Sequence, residues 1–335
     1  MIFKKISEKD LDKFAEYVQS TEYKLCEYSP FTIYMWREYY NIEYAEMQME
    51  KHACGNGEDL DVLFLRYTIG EDRKSVYGWP LFKHSVDIET QLEAVEELLK
   101  YIETENIIEI ETKKNFRIGN VPAEVIPFIE KKFHGAKVFT ERDWSDYIYT
   151  FEDIQDLAGR KYSSKRNHIK NFDRNYPVSR FEAINEENHQ QVLDFYNSLL
   201  ERENQEMLLS GNMEASEELE TKEMLEKLLD LKKSTEKFQI QGMVLYAGSQ
   251  VAGFTIGAIV ENTLMVHIEK ADIHFKGVYT KLFHEYVLYN KDMGIKYINR
   301  EDDVGEEGLR RSKLSYHPVA LLDKYAVTIT RDERA

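Results

Sequence analysis

The sequence predicts an α+β chain of two consecutive halves, each built on a central mixed sheet flanked by helices. Three observations predict it. Strand-type runs alternate with helix-type spacing along the whole chain. Apolar residues make up 42% of 335, enough for a sizeable core. No Pro-, Gly- or Ser-rich linker interrupts the alternation. At about 150 residues per domain the length suits two domains, divided as 1–152 and 153–335, with the joint between Thr150 and Gly159.

In the first half, Asp61-Val62-Leu63-Phe64-Leu65-Arg66-Tyr67 reads as a strand, with Gly55-Asn56-Gly57 as a turn before it. Leu92, Val95, Leu98, Leu99 and Ile102 recur at spacings of three and four, the signature of a helix. Ile107-Ile108-Glu109-Ile110 reads as a further strand, and Pro122 and Pro127 flank a short helix. In the second half, helical spacing appears at Val192, Phe195, Tyr196 and Leu199, and again from Met224 to Lys232. Gln239 to Tyr246 and Val251 to Val260 then read as strands joined through Gly248-Ser249. Glu261-Asn262 leads into a third strand, Leu264 to Glu269. A helix opens after Gly277, carries Tyr279, Leu282, Phe283, Tyr286 and Val287 on one face, and closes near Gly294. Tyr297-Ile298 is the next strand. Antiparallel meander, helix, strand, helix is the order of the GNAT-type acyltransferase fold, and its recurrence in both halves suggests a tandem duplication.

Composition removes several function classes. Two cysteines, Cys26 and Cys54, make no disulfide framework, and no Cys/His cluster offers a metal site. The N-terminus has no apolar core of a signal peptide, and the greasiest stretch, Met243 to Val260, is broken by Gly248-Ser249-Gln250. A cytoplasmic protein with no integral membrane segment is expected. The formal charge of −17 argues against a DNA-coating surface, so any nucleic acid must be held at a focused site.

Three segments carry chemistry. From Arg160 to Arg180 there are seven Lys/Arg and one Asp. On a helix Lys161, Lys165 and His168 share a face, with Arg166 and Lys170 on the next. Such a face binds phosphates, or is a solvated surface balancing acidic neighbours. In the second segment, His267 and Glu269 share one side of the strand and Lys270 the other. A His beside a Glu suits a general base, the carboxylate fixing the tautomer; a satisfied core network accounts for the same pair. Lys276-Gly277 then opens a helix whose free N–H groups favour a phosphate. In the third, Asn299, Arg300 and Glu301 sit at a strand end, where α/β sheets place their sites. Arg310 and Lys313 lie one turn apart on the helix that follows. Glu301-Asp302-Asp303 diverge in direction, so no metal is expected there.

Together, Gly159, Lys161, Lys165-Arg166-Asn167-His168, His267 to Asp272, Lys276-Gly277, Asn299 to Asp302 and Arg310 to Pro318, including Ser315-Tyr316, resemble the bacterial family related to the C-terminal domain of phosphatidylglycerol lysyltransferases. The resemblance covers most of the chain and is densest from 157 to 325. It implies two GNAT-type domains in tandem, similar also to Fem-type peptidyltransferases, and an aminoacyl group moved from an aminoacyl-tRNA ester to an amine or hydroxyl acceptor. His267 and Lys270 stand where the lysyltransferases carry a paired Asp and Arg. Around Gly277 the acetyl-CoA loop of ordinary GNAT enzymes is degenerate, with Tyr279 where a small residue belongs.

The expectation is an acyl- or aminoacyltransferase. His267 with Glu269 takes the acceptor's proton, Lys270 or Arg300 steadies the oxyanion, and Glu301 completes the strand-end site. Lys161, Lys165, Arg166 and Asn167, with Lys276, Gly277, Asn299, Arg310, Lys313 and Tyr316, form the substrate- and phosphate-binding wall. The donor is aminoacyl-tRNA or, in the rival reading, acyl-CoA, with no certain cofactor; the acceptor is a small molecule or peptide, and DNA is no partner. A binding or regulatory module on the same fold is the reading in a different class.

Overall fold

The structure is a computed structural model. It describes residues 1–18, 24–49, 59–69, 74–104, 115–210 and 216–330, without the side chains of 203–210 and 216–218. The chain divides into two compact units. The first comprises Met1–Asp146, Asp302–Glu306 and Leu322–Ala335; the second comprises Tyr147–Glu301 and Glu307–Leu321. The division is interleaved where the sequence reading draws a single cut at 152/153.

The first unit runs β1 (Lys4–Lys5), α1 (Leu11–Val18), α2 (Pro30–Met35), β2 (Glu43–Met49), β3 (Leu60–Ile69), β4 (Lys74–Gly78), β5 (Leu81–Phe82), α3 (Ile88–Thr104), β6 (Asn115–Pro122), α4 (Ile126–Lys132) and β7 (Lys137–Thr140). The chain continues through β8 (Asp146–Thr150), α5 (Phe151–Asp156), α6 (Ser163–Asn175), β9 (Ser179–Ala183), α7 (His189–Ser210), α8 (Ser216–Ser234), β10 (Gln239–Ala247), β11 (Gln250–Val260), β12 (Thr263–Ala271), α9 (Val278–Tyr289), β13 (Tyr297–Asn299), α10 (Glu307–Leu314) and β14 (Ala320–Leu322). It returns to the first unit as β15 (Lys324–Thr330).

The first sheet has the order β1-β2-β3-β4-β6-β15-β7, with β5 paired to β3. The second has the order β14-β8-β13-β12-β11-β10-β9. Read from opposite ends, the two orders match. Each has a short edge strand, an antiparallel meander and a strand parallel to the meander's last member (β4 with β6, β12 with β13). Each then has an antiparallel strand from a distant part of the chain (β15, β8) and a final edge strand.

The α3 periodicity is realised: Leu92, Val95, Leu98, Leu99 and Ile102 are all buried. So are Leu282, Phe283, Tyr286 and Val287 of α9, whereas Tyr279 is exposed. That helix stops at Tyr289, short of Gly294, and Asn290 bonds back to the Tyr286 carbonyl. Pro127 lies inside the first turn of α4 rather than after the helix, where its missing N–H leaves no bond unmade. The strand expected at 107–110 and the turn at 55–57 fall outside the described residues.

Strands β10 and β11 are buried on both faces. Phe254 meets Tyr196 of α7 at 5.7 Å between ring centroids, which marks one face. A Cβ at Gly257 would lie 2.5 Å from the Tyr286 hydroxyl of α9, which marks the other. The glycine is what lets α9 sit so close.

Candidate functional site

The second unit gathers its polar side chains at the C-terminal ends of β12 and β13, which run parallel. The decisive local feature is a bulge. Gly257 pairs with Val266 and Ile256 with Ile268, so the register steps over His267 as an extra residue. A bulge inserts one residue and re-aims the side chains around it. Register then places Glu269 opposite Thr255 and Lys270 opposite Phe254, and directly opposed residues share a face. Glu269 therefore lies on the α9 face, while Lys270 lies with Phe254 on the α7 face.

The pairing of His267 with Glu269 expected from simple alternation is accordingly corrected. His267 Nδ1 bonds Glu301 Oε1 at 2.8 Å, and its side chain has no exposed surface. Glu301 is held in a left-handed backbone conformation at φ 56°. Its N–H donates to Asn299 Oδ1 at 2.7 Å, and its carbonyl accepts from Tyr147 N–H. Non-glycine residues seldom adopt this conformation unless their surroundings impose it. Asn299 is itself fully buried.

Glu269 pairs instead with Arg300. The guanidinium is 8% exposed, and its carbon lies 4.1 Å from the Phe283 ring centroid and 5.2 Å from that of Tyr316. Burial opposes its charge, and the adjoining Glu269 carboxylate more than offsets this, so the guanidinium is held more firmly protonated than usual. Its Nε and Nη1 have no hydrogen-bond partner, and neither has Glu269 Oε1. Thr255 Oγ1 and the Tyr286 hydroxyl, on the same face, are also buried without partners. An unsatisfied buried polar atom costs about 1–3 kcal/mol.

The basic segment does not form one cationic face. Lys161 stands in a separate turn before α6 and pairs with Asp153 at 3.2 Å. Arg166 donates to the carbonyls of Leu157 and Gly159, closing the loop after α5. Lys165 points inward at 8% exposure, its Nζ 3.5 Å from the Tyr316 ring centroid and 2.5 Å from Ser315 Oγ. Burial, reinforced by the Arg300 charge, pulls the Lys165 amine down to about 8. Asn167, His168, Lys170 and Arg174 are exposed on α6.

Gly277 has φ 88°, and a Cβ there would lie 2.5 Å from the His168 carbonyl oxygen. Its glycine serves the approach of α6 to α9, rather than an open phosphate cradle. Lys276 is exposed beside it. Lys313 is buried and donates to the Arg300 carbonyl at 2.6 Å, bracing the end of β13. Tyr316 is buried, its carbonyl accepting from the Tyr162 hydroxyl. Arg310 is partly exposed on α10. Of the expected site residues, the structure thus brings together Glu269, Arg300, Lys165 and Tyr316, with Lys313 on the Arg300 carbonyl, and a second group of His267, Glu301 and Asn299. Sequence reasoning passed over Ser315, Thr255 and Tyr286. Ser315 stood within the quoted motif; the other two carried no signal, because only register and helix packing bring them to this face.

In the first unit, one group of three side chains among the described residues brings ligand-type atoms within 4.8 Å of one another: Cys26, Glu27 and Asp146. The Lys324 ammonium occupies their midst, 2.5 Å from Glu27, 2.7 Å from Asp146 and 3.0 Å from Asp302. No helix among the described residues is long and apolar enough to cross a membrane.

Residues 116–328, more than half of the chain, match the family described as phosphatidylglycerol lysyltransferase, C-terminal. The chain belongs to that family. The C-terminal domain of a protein described as a lysylphosphatidylglycerol synthetase, from Agrobacterium fabrum, shares the fold at a TM-score of 0.58 and 12% identity, over 97% of this chain and 92% of that one. FemX shares it at 0.52 and 11%, over 99% and 98%. A protein of unknown function from Bacteroides thetaiotaomicron is more similar, at a TM-score of 0.81 and 26% identity over 98% of this chain and 100% of its own. An uncharacterised protein of Mycoplasmoides gallisepticum is 25% identical over 191 residues, 55% of this chain. The match spans 56% of that relative's length, so the chain covers little more than half of the curated relative it matches. The mixed α+β architecture with two sheets is therefore shared with these three solved structures.

Proposed function

We propose that the second unit is an aminoacyltransferase site, moving an aminoacyl group from an aminoacyl-tRNA ester to an amine or hydroxyl acceptor. The observation that carries the reading is Arg300, buried with two unpartnered N–H groups beside an unpartnered oxygen of Glu269. An aminoacyl ester offers what each lacks. Its α-ammonium suits Glu269 Oε1, and its carbonyl oxygen, which gains negative charge as the acceptor attacks, suits the Arg300 donors. A simple acyl-CoA thioester presents no ammonium for Glu269. The packing of His168 against Gly277 also favours the tRNA donor over a pyrophosphate-bearing one.

His267 organises the strand ends through Glu301, whose carboxylate its Nδ1 meets at 2.8 Å. The family supports acyl transfer in general terms. The acceptor is left as an amine or hydroxyl.

The test is discharge of tRNA carrying radiolabelled lysine or alanine, with the label followed into an added amine or a lipid vesicle. The parent chain is expected to accelerate discharge above buffer, with Glu269→Gln reducing the rate by about tenfold or more. Consumption of acetyl-CoA with no discharge of any charged tRNA would overturn the reading in favour of the acyl-CoA enzyme. No turnover of either donor would favour a binding module.

A further inference from the structure

We infer that Ser315 and Lys165 form a nucleophile–base dyad, on which an ester or thioester acyl group is held covalently as an acyl-serine. Ser315 is exposed just past the end of α10, so a substrate carbonyl reaches its hydroxyl from outside. Lys165 approaches the same oxygen from within, at 2.5 Å. The two are 150 positions apart in sequence, so the contact comes from the tertiary fold rather than from a local turn.

The environment of Lys165 is what separates this pair from an ordinary buried hydrogen bond. Its neighbours are the Tyr316 ring, the Ser315 hydroxyl and the Arg300 cation, and no carboxylate forms an ion pair with it. Structural buried lysines are normally neutralised by an acid, as Lys324 is in the first unit. A lysine placed out of water beside another cation loses its proton readily, the arrangement that activates amines and their hydroxyl partners. Its amine accordingly titrates at about 8, leaving a usable fraction of free base near neutral pH. The Ser315 hydroxyl donates to the Ser312 carbonyl at 2.5 Å while the Lys165 ammonium donates to its oxygen, so once the amine is neutral the hydroxyl turns from Ser312 towards it to give up its proton. Tyr316 is locked from several sides: its ring meets Phe283 edge-on at 5.2 Å, and its carbonyl accepts from Tyr162. The dyad thus stands on a rigid support.

The chemistry balances without another reagent. The neutral Lys165 amine takes the Ser315 hydroxyl proton as Oγ bonds to the acyl carbon. The bond from that carbon to the leaving alcohol or thiol breaks, and the leaving atom takes the proton back from the Lys165 ammonium. An acceptor amine or hydroxyl then attacks the acyl-serine, its proton passing through Lys165 to Ser315 Oγ. The inference rests on the transferase reading only for the identity of the acyl group; the dyad itself stands on the side-chain geometry.

A fluorophosphonate ester, which reacts with activated serines whatever their natural substrate, is the probe. Intact mass and peptide mapping of the full chain read the adduct. One adduct on Ser315 is expected, forming faster as pH rises through about 8, absent in Ser315→Ala and slowed about tenfold or more in Lys165→Met and Lys165→Arg. Ser315→Ala removes one exposed oxygen, so the result does not hang on whether the lysine variants fold. No adduct, or an adduct elsewhere that survives Ser315→Ala, overturns the dyad. Discharge of charged tRNA by a chain that takes no adduct would leave the transferase reading intact with direct attack by the acceptor. Labelling of Ser315 without any discharge would keep the dyad and remove the tRNA donor.

Discussion

Replacing Glu27 by Gln should make the first unit more stable at alkaline pH and leave it unchanged in mild acid. Glu27, Asp146 and Asp302 surround the single ammonium of Lys324, so the cluster carries an excess of negative charge. Burial raises the Glu27 carboxyl to about 7 despite the opposing pull of Lys324, from an ordinary value of 4.5. The folded chain therefore keeps a proton that the unfolded chain releases between these values. The stability this contributes is fully present below pH 4.5 and is lost as pH rises through about 7. A gap of about 2.5 pH units at about 1.36 kcal/mol each sets a ceiling near 3 kcal/mol. Glutamine keeps the shape and never ionises, so Glu27→Gln should match the parent at pH 4.5 and exceed it by up to that amount at pH 8. Urea unfolding at both pH values is the assay. All three tryptophans, Trp36, Trp79 and Trp144, lie in the first unit, so fluorescence reports the right half. A variant equally destabilised at both pH values would refute the reasoning, since ionised Glu27 would then be a net favourable partner of Lys324.

Lys165→Met should stabilise the second unit at pH 7, because the buried amine's value of about 8 against 10.5 means stability is present above 10.5 and lost as pH falls through 8; melts at pH 7 and 10.5 should show a gain of about 1–3 kcal/mol that vanishes at the higher pH. Gly277→Ala should cost clearly more than Gly294→Ala. Both glycines have a positive φ, 88° and 70°, but a Cβ meets the His168 carbonyl at 277, while nothing lies within 4 Å at 294; the Gly294 change should cost about 1–2 kcal/mol by denaturant melts, and equal losses would contradict the helix contact. If charged tRNA binds, it should do so through the exposed Lys170, Arg174 and Lys276. Reversing these three charges should then weaken filter binding and flatten a salt slope of about −2 to −3, the value for about three phosphate contacts.

Much of the second unit was legible because its strands and helix obey strong local rules. The apolar runs of β10 and β11, the Gly248 turn and the α9 face appear where periodicity places them. The strand-end position of Arg300 and Glu301 was legible for the same reason. Their partners were not. One bulged residue at His267 reverses the sides taken by the residues after it, and no composition signal announces a bulge. The α6 cations illustrate a second limit. Helical spacing puts Lys161, Lys165 and His168 on one side, yet Lys161 precedes the helix and Lys165 is drawn inward beside Tyr316. Charge density in sequence does not say which side chains a neighbouring element will cover. The joining strands β8 and β15 were missed because each is completed by partners far along the chain.

The path of β15 has a consequence for how the protein is made. Strands β6 and β7 do not pair with each other; each pairs with β15, which lies between them. As the polypeptide emerges from the ribosome, the first sheet stays gapped until residues 324–330 arrive, after the second unit's residues have all been synthesised. The half translated first is thus closed last, and its waiting edges must be kept from pairing with other chains in the interval. A chain ending at residue 323 would lack β15 and injure the N-terminal half while sparing every strand of the second sheet, reversing the usual expectation that a truncation harms what lies beside it.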